Sequence, residues 1–192
     1  MSPARPDWPD RLETDRLLLR PLEKADLPVL VRELGRWEVA RWLIRVPHPY
    51  TPEDAATWLA MTISGRREGT MLHFVAVPKD DPSAELLGAA GLMPGARERG
   101  AAELGYWLRQ DAWGRGYGTE MAAAMVRCAF RDMDLGAVTA ATDLENDASH
   151  AVLLKAGLRQ TGIDPQHPRY LRGDPAPARL YRLTRAEWDS AR

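Results

Sequence analysis

The chain of 192 residues has a single cysteine, Cys128, so it can close no internal disulfide and build no multi-cysteine metal site. It has no excess of charge: 26 Lys and Arg stand against 27 Asp and Glu, for a formal net charge of -1. That removes the electrostatic case for a dedicated nucleic-acid binder. It has no apolar run approaching the roughly 20 residues that a membrane span needs. Residues 1–10 are rich in proline and charge and lack the apolar centre of a signal peptide. Together these absences predict a cytoplasmic protein with no membrane partner. Residues 1–10 read as a flexible tail, which Trp8 could tack to the surface, and residues 11–192 as one domain.

The 45% hydrophobic and 28% charged residues are those of an ordinary folded domain. Leu17–Leu19, stopped by Pro21, suits a first strand. Asp26 can cap a helix that tolerates Pro28 in its first turn, and Thr51-Pro52-Glu53-Asp54 marks the start of a second. Ala55, Leu59 and Ile63 would line one face of that second helix. The pattern then changes to strands at Met71–Val77, Leu86–Leu92 and Glu103–Leu108. A long helix follows over Gly116–Asp132, with Ala122, Val126, Ala129 and Met133 as its buried stripe. Ala137–Thr142 reads as a strand, Asp147–Ala156 as a helix ended by Gly157, and Leu158–Ile163 and Arg179–Thr184 as the last strands. This order predicts a mixed α/β (α+β) layer protein, without the regular alternation of a doubly wound fold.

The octet Trp113-Gly114-Arg115-Gly116-Tyr117-Gly118-Thr119-Glu120 lies between a predicted strand and the long helix. Its alternate glycines let backbone approach a ligand closely, and amides at a helix start suit an anion. Arg115 adds charge that suits phosphate, so a diphosphate is the natural occupant. A P-loop needs Lys-Ser or Lys-Thr after its last glycine, and Thr119-Glu120 follows instead. A dinucleotide fingerprint needs G-x-G-x-x-G in a parallel unit, and the spacing here is G-x-G-x-G.

The octet resembles the pyrophosphate signature of the GNAT acetyltransferase superfamily, with Gly116 and Gly118 at its two small positions. Trp113 departs from it, standing where the superfamily has Gln or Arg. The resemblance to the RimJ/RimL-like branch extends through Leu12–Pro21, Tyr50–Ala55, Glu103–Leu108, Asn146–Ser149 and Lys155–Leu158. It implies a mixed central sheet with a splayed V between two central strands and helices on both faces. It also implies acetyl-CoA as cosubstrate, no metal, and direct transfer of acetyl to a primary amine. The acceptor would be a protein N-terminus or a small molecule, and the choice between monomer and homodimer stays open.

On that resemblance the cofactor would meet Gly114, Arg115, Gly116, Tyr117, Gly118 and Thr119. Its pantetheine arm would pair with exposed backbone near Trp107 and Leu108 and meet Asn146. An attacking amine must lose a proton, and Glu103 is the first candidate base. Asp143 is second; His150 and His167 are weaker. Ser149 matches the serine of an Asn-x-x-Ser motif that returns a proton to the departing thiolate. Asn146 and Ser149 are equally suited to capping a helix. Trp37, Trp42 and Tyr50, around Pro47-His48-Pro49, fit either an acceptor pocket or a packed helix-loop-helix. Direct transfer needs no protein nucleophile, which gives Cys128 a structural role. The alternative function is a non-catalytic acyl-CoA-binding sensor or interaction module.

Overall fold

The computed structural model describes residues 7–96, 98–167 and 175–191. The strands in chain order are β1 (Leu12–Glu13), β2 (Leu17–Arg20), β3 (Leu72–Pro78), β4 (Gly88–Pro94), β5 (Ala101–Leu108), β6 (Ala137–Asp143), β7 (Arg159–His167) and β8 (Ala176–Thr184). The α-helices are α1 (Leu27–Leu34), α2 (Trp37–Ala40), α3 (Pro52–Glu68), α4 (Tyr117–Arg131), α5 (Asp147–Lys155) and α6 (Arg185–Ser190). One sheet holds every strand, in the order β1-β2-β3-β4-β5-β6-β8-β7. Each pairing is antiparallel except that of β5 with β6.

Strand alternation divides the interior into two cores. Leu72, Phe74 and Ala76 of β3 face one side with Leu92, Leu104 and Val138, and the buried stripe of α4 covers them. Val75 and Val77 face the other side, where Leu30 and Leu34 of α1 and Ala55 and Leu59 of α3 close over them. Helices therefore cover both faces of a mixed sheet, as the resemblance implied. Among the described residues no helix is long and apolar enough to cross a membrane.

Local signals place most elements, and the departures have physical causes. Thr51 caps α3 through a capping box with Asp54, as expected. Ile63, however, is 60% exposed, and the buried face of α3 continues through Thr62 and Gly65. Asp26 precedes α1 by position only. Its carboxylate accepts from the Glu23 amide at 2.8 Å and pairs with Arg20, so it fastens the chain entering the helix rather than the helix itself. Helix α6 was not expected, although Thr184 and Glu187 form a capping box at its start. At the tail, Trp8 packs against the core, and Arg66 donates to the carbonyls of Trp8 and Pro9.

Glycines on β4 and β5 set how closely these strands lie. A Cβ built at Gly88 would fall 2.1 Å from the Trp107 carbonyl oxygen and 2.8 Å from Leu108 Cα, both backbone. One at Gly105 would meet nothing within 4 Å. We therefore expect Gly88→Ala to destabilise the protein by about 2–3 kcal/mol through overpacking, and Gly105→Ala to stay within about 0.5 kcal/mol of the parent. Urea unfolding of both variants measures this; equal midpoints would refute it.

Candidate active site

Strands β5 and β6 pair only at Ala101–Ala137, Ala102–Val138 and Glu103–Thr139. Beyond that point β5 continues alongside β4 and β6 alongside β8, so the two strands part. A cleft of about 950 Å³ occupies the gap and runs beneath α3. It brings together Glu103, Gly114, Gly116, Asn146 and Ser149.

The register determines which backbone groups face the opening. The Arg109 amide donates to the Leu87 carbonyl, and antiparallel hydrogen-bonded pairs recur every second residue. Trp107 and Ala89 therefore spend their amides and carbonyls on each other. The groups turned toward β6 are those of Tyr106 and Leu108. The expectation for Trp107 is corrected by one residue. Leu108 turns its amide toward the opening, while its carbonyl accepts the Trp113 indole N–H at 2.9 Å. Trp113, at the Gln/Arg position of the signature, thus ties the turn to the end of β5.

Gly114 and Gly116 have φ of 71° and 81°, in the left-handed region that glycine adopts without strain. A Cβ at Gly114 would meet nothing within 4 Å, so the turn is open on that side. Gly116 is the N-cap of α4 and supplies no side-chain cap, which leaves the first amides of a 15-residue helix without one. That arrangement fits the diphosphate of a CoA thioester. Gly118 also lines the cleft, and a Cβ there would lie 3.3 Å from Val152, so it permits α4 to pack closely on α5. Thr119 lines the cleft, whereas the Arg115 and Tyr117 side chains do not. Arg16 and Arg115 instead lie over the Tyr117 ring, 4.6 and 5.2 Å from its centroid.

Behind the turn, Glu120 is clasped by the segment before β2. Its Oε1 accepts from Thr14 Oγ1 at 2.6 Å and from the Arg16 amide at 2.8 Å. Its Oε2 accepts from Arg16 Nε at 2.7 Å, and Arg16 also donates to the Arg115 carbonyl. Burial works to raise the Glu120 carboxyl, but these bonds outweigh it and hold the group below the usual carboxylate range.

Glu103 is buried at the vertex of the V, with Arg45 3.2 Å from its Oε2. Asp143 lies elsewhere: its Oδ1 accepts from the Glu145 amide, and it lines a smaller cavity beside Arg41 and His167. His167 is buried against Asp164, and His150 Nδ1 lies 2.6 Å from the Tyr181 hydroxyl, so each histidine has a structural partner. Trp42 and Tyr50 line the cleft. Trp37 does not; it is 53% exposed and packs on His48.

Asn146 caps α5, its Oδ1 accepting from the Ser149 amide at 3.0 Å. Ser149 Oγ lies 2.7 Å from the hydroxyl of Tyr106, which also donates to the Ser149 carbonyl. The motif reading missed Tyr106. Its signal was strand parity, which places it with Leu104 and Leu108 toward α4 and α5. Burial raises the Tyr106 phenol further than its bond to Ser149 lowers it, so the hydroxyl keeps its proton near neutral pH. Cys128 is fully buried, and burial pushes its thiol up to about 12, which suits a structural residue.

Residues 16–159 match the acetyltransferase (GNAT) domain family. The chain is 26% identical over 174 residues to the uncharacterized N-acetyltransferase YoaA of Bacillus subtilis (strain 168), covering 91% of this chain and 96% of YoaA. It is 27% identical over 155 residues to the uncharacterized N-acetyltransferase p20 of Bacillus licheniformis, covering 80% and 85% respectively. Among solved structures, Mycobacterium smegmatis RimJ in complex with CoA-disulfide has the same fold, with a TM-score of 0.79 at 23% identity over 95% of this chain and 91% of RimJ. The chain belongs to the GNAT acetyltransferase family and is an acetyl-CoA-dependent N-acetyltransferase.

The Glu120 clasp yields a pH test. A carboxyl held below its ordinary value contributes stability above that value, and the contribution is lost as pH falls through the folded-state value. Glu120→Gln should therefore cost about 1–2 kcal/mol at pH 7. The gap from the parent should narrow below about pH 4, as the unfolded carboxylate takes up protons. Urea unfolding across this range checks it, and a pH-independent gap would refute it.

Proposed function

We propose that the chain acetylates a primary amine, on a protein N-terminus or a small molecule, by direct attack on acetyl-CoA in the V between β5 and β6. One observation carries the reading: an uncapped helix start with an open glycine turn shares a single cleft with Glu103 and Ser149. The diphosphate sits on Gly114–Thr119, the Tyr106 and Leu108 backbone meets the pantetheine arm, and the Asn146 side-chain amide donates to it. Glu103 takes a proton from the ammonium. The amine nitrogen bonds to the acetyl carbon and the carbon–sulfur bond breaks; the nitrogen sheds its second proton to solvent, and Ser149 supplies the thiolate with one. Tyr106 acts through Ser149, as a positioning residue that can restore its proton. Arg45, paired with Glu103, has to yield the carboxylate to the incoming ammonium. Release of thiol from acetyl-CoA in the presence of amines tests the reading.

Gly116→Asp adds a carboxylate to the turn that should hold the diphosphate, with its Cβ 3.3 Å from Arg16 Nη2. Calorimetry should show CoA affinity reduced by at least about tenfold; unchanged affinity would move the diphosphate elsewhere.

Glu103→Gln keeps the size of the side chain and removes the base. Turnover at pH 7 should fall about 100-fold, with partial recovery as rising pH supplies more neutral amine. Ser149→Ala should lower turnover with CoA affinity little changed, and Tyr106→Phe should lower it less. Parent-like pH-rate profiles in all three variants would assign both proton transfers to water or to other residues.

A further inference from the structure

On the face of the sheet that carries α3, three residues align across three strands. His73 of β3 pairs with Gly91 of β4, and Gly91 pairs with Gly105 of β5. The neighbouring rows on the same face are Met93 opposite Glu103 and Ala89 opposite Trp107. With no side chains at Gly91 and Gly105, the middle row is a trough between those walls. Above Gly105 the trough is open. Beyond Gly91 the His73 ring closes it, since a Cβ at Gly91 would come within 3.1 Å of His73 Cδ2. Trp58 of α3 meets that ring edge-on, with centroids 5.0 Å apart. The trough opens beside Glu103 and spans two strand spacings, roughly 10 Å.

The chemistry of its lining is distinctive. Met93, Trp107 and Trp58 are apolar or aromatic. His73 Nδ1 is buried with no hydrogen-bond partner, and burial pushes the imidazole down to about 4, so the ring is neutral at pH 7. Glu103 and Arg45, the charged groups at the mouth, pair with each other, and Asp54 of α3, which lines the same cleft, accepts from the Thr51 amide and hydroxyl. A charged arm lying in the trough would lose hydration without gaining a partner, whereas an aryl or branched alkyl group would gain contact area.

We propose that the trough is the subsite for the acceptor's substituent, and that the acceptor is a primary amine bearing an aryl or branched alkyl group within roughly 10 Å of its nitrogen. This rests on the amine-acetylation reading. The group could belong to a free arylalkylamine or to an apolar first residue of a polypeptide.

The test is thiol release from acetyl-CoA with two pairs of acceptors plus putrescine. 2-Phenylethylamine is compared with ethanolamine, and a tripeptide with N-terminal phenylalanine with one with N-terminal serine. In at least one pair the apolar member should lead in kcat/KM by roughly tenfold or more, and the pair that shows it identifies the source. Gly105→Val should reduce that ratio below about threefold by filling the trough. His73→Ala should lengthen it and shift preference toward 4-phenylbutylamine, which keeps the test decisive if the valine variant does not fold. Equal or better turnover of ethanolamine, putrescine and the serine peptide would overturn the trough alone. So would a preference that neither variant changes. No release with any amine, from protein that still binds CoA by calorimetry, would overturn the amine-acetylation reading itself and this inference with it.

Discussion

The shortness of one parallel pairing governs this molecule. Strands β5 and β6 share three residue pairs and then part at Glu103 and Thr139. A longer ladder would consume the Tyr106 backbone groups and the Leu108 amide that now face the opening, and would close the cleft. Partners on the outer sides hold the strands apart: β5 is zipped to β4 from Ala102 to Leu108, and β6 to β8 from Ala137 to Asp143. The first turn of α5 stands behind the gap, and its Ser149 fastens the Tyr106 side chain. Exposed backbone inside a protein is costly unless something satisfies it. A V of this kind is therefore a site awaiting an extended polar ligand, and the amide-bearing arm of acetyl-CoA has the required chemistry.

The second constraint is that the glycine turn is held from behind. A turn with two left-handed glycines gains freedom in exactly the place where a ligand needs fixed amides, and that freedom must be removed before binding. Thr14 and Arg16 remove it by gripping Glu120 one turn into α4, while Trp113 pins the start of the turn to Leu108. Two sequence segments about 100 residues apart thus act as one part. This gives the polar cluster before β2 a purpose that the local sequence does not reveal.

What could be read from the sequence follows the range of the interactions. The capping box at Thr51, the glycine turn and the apolar runs of β3 and α4 are local, and they placed their elements. Ile63 shows the limit: its spacing suited the apolar stripe, but the face that α3 buries is set by where α1 and the sheet lie. Asp26 was a plausible cap until Arg20 and the Glu23 amide claimed its carboxylate. Trp107 and Tyr106 exchanged importance because register, a property of two strands, decides which backbone groups remain open. Glu103, Asn146 and Ser149 are candidates that a family resemblance nominates, and all three line one cleft. Helix α6 is the opposite case, since its Thr184–Glu187 box was local and readable.

Strand alternation also gives the proposed chemistry its order. Along β5, Leu104, Tyr106 and Leu108 face α4 and α5, while Trp107 faces the core beneath α1 and α3. By the same period, Glu103 and Gly105 share the face of Trp107. The group proposed to take a proton from the amine and the pair proposed to return one to sulfur thus lie on opposite sides of one strand. A base in direct contact with the acid would simply exchange protons with it. Placed on opposite faces, with the reacting carbonyl between them, the two can act on different atoms of the same reaction. The period of two that builds the sheet is then also what keeps the incoming amine apart from the departing thiolate.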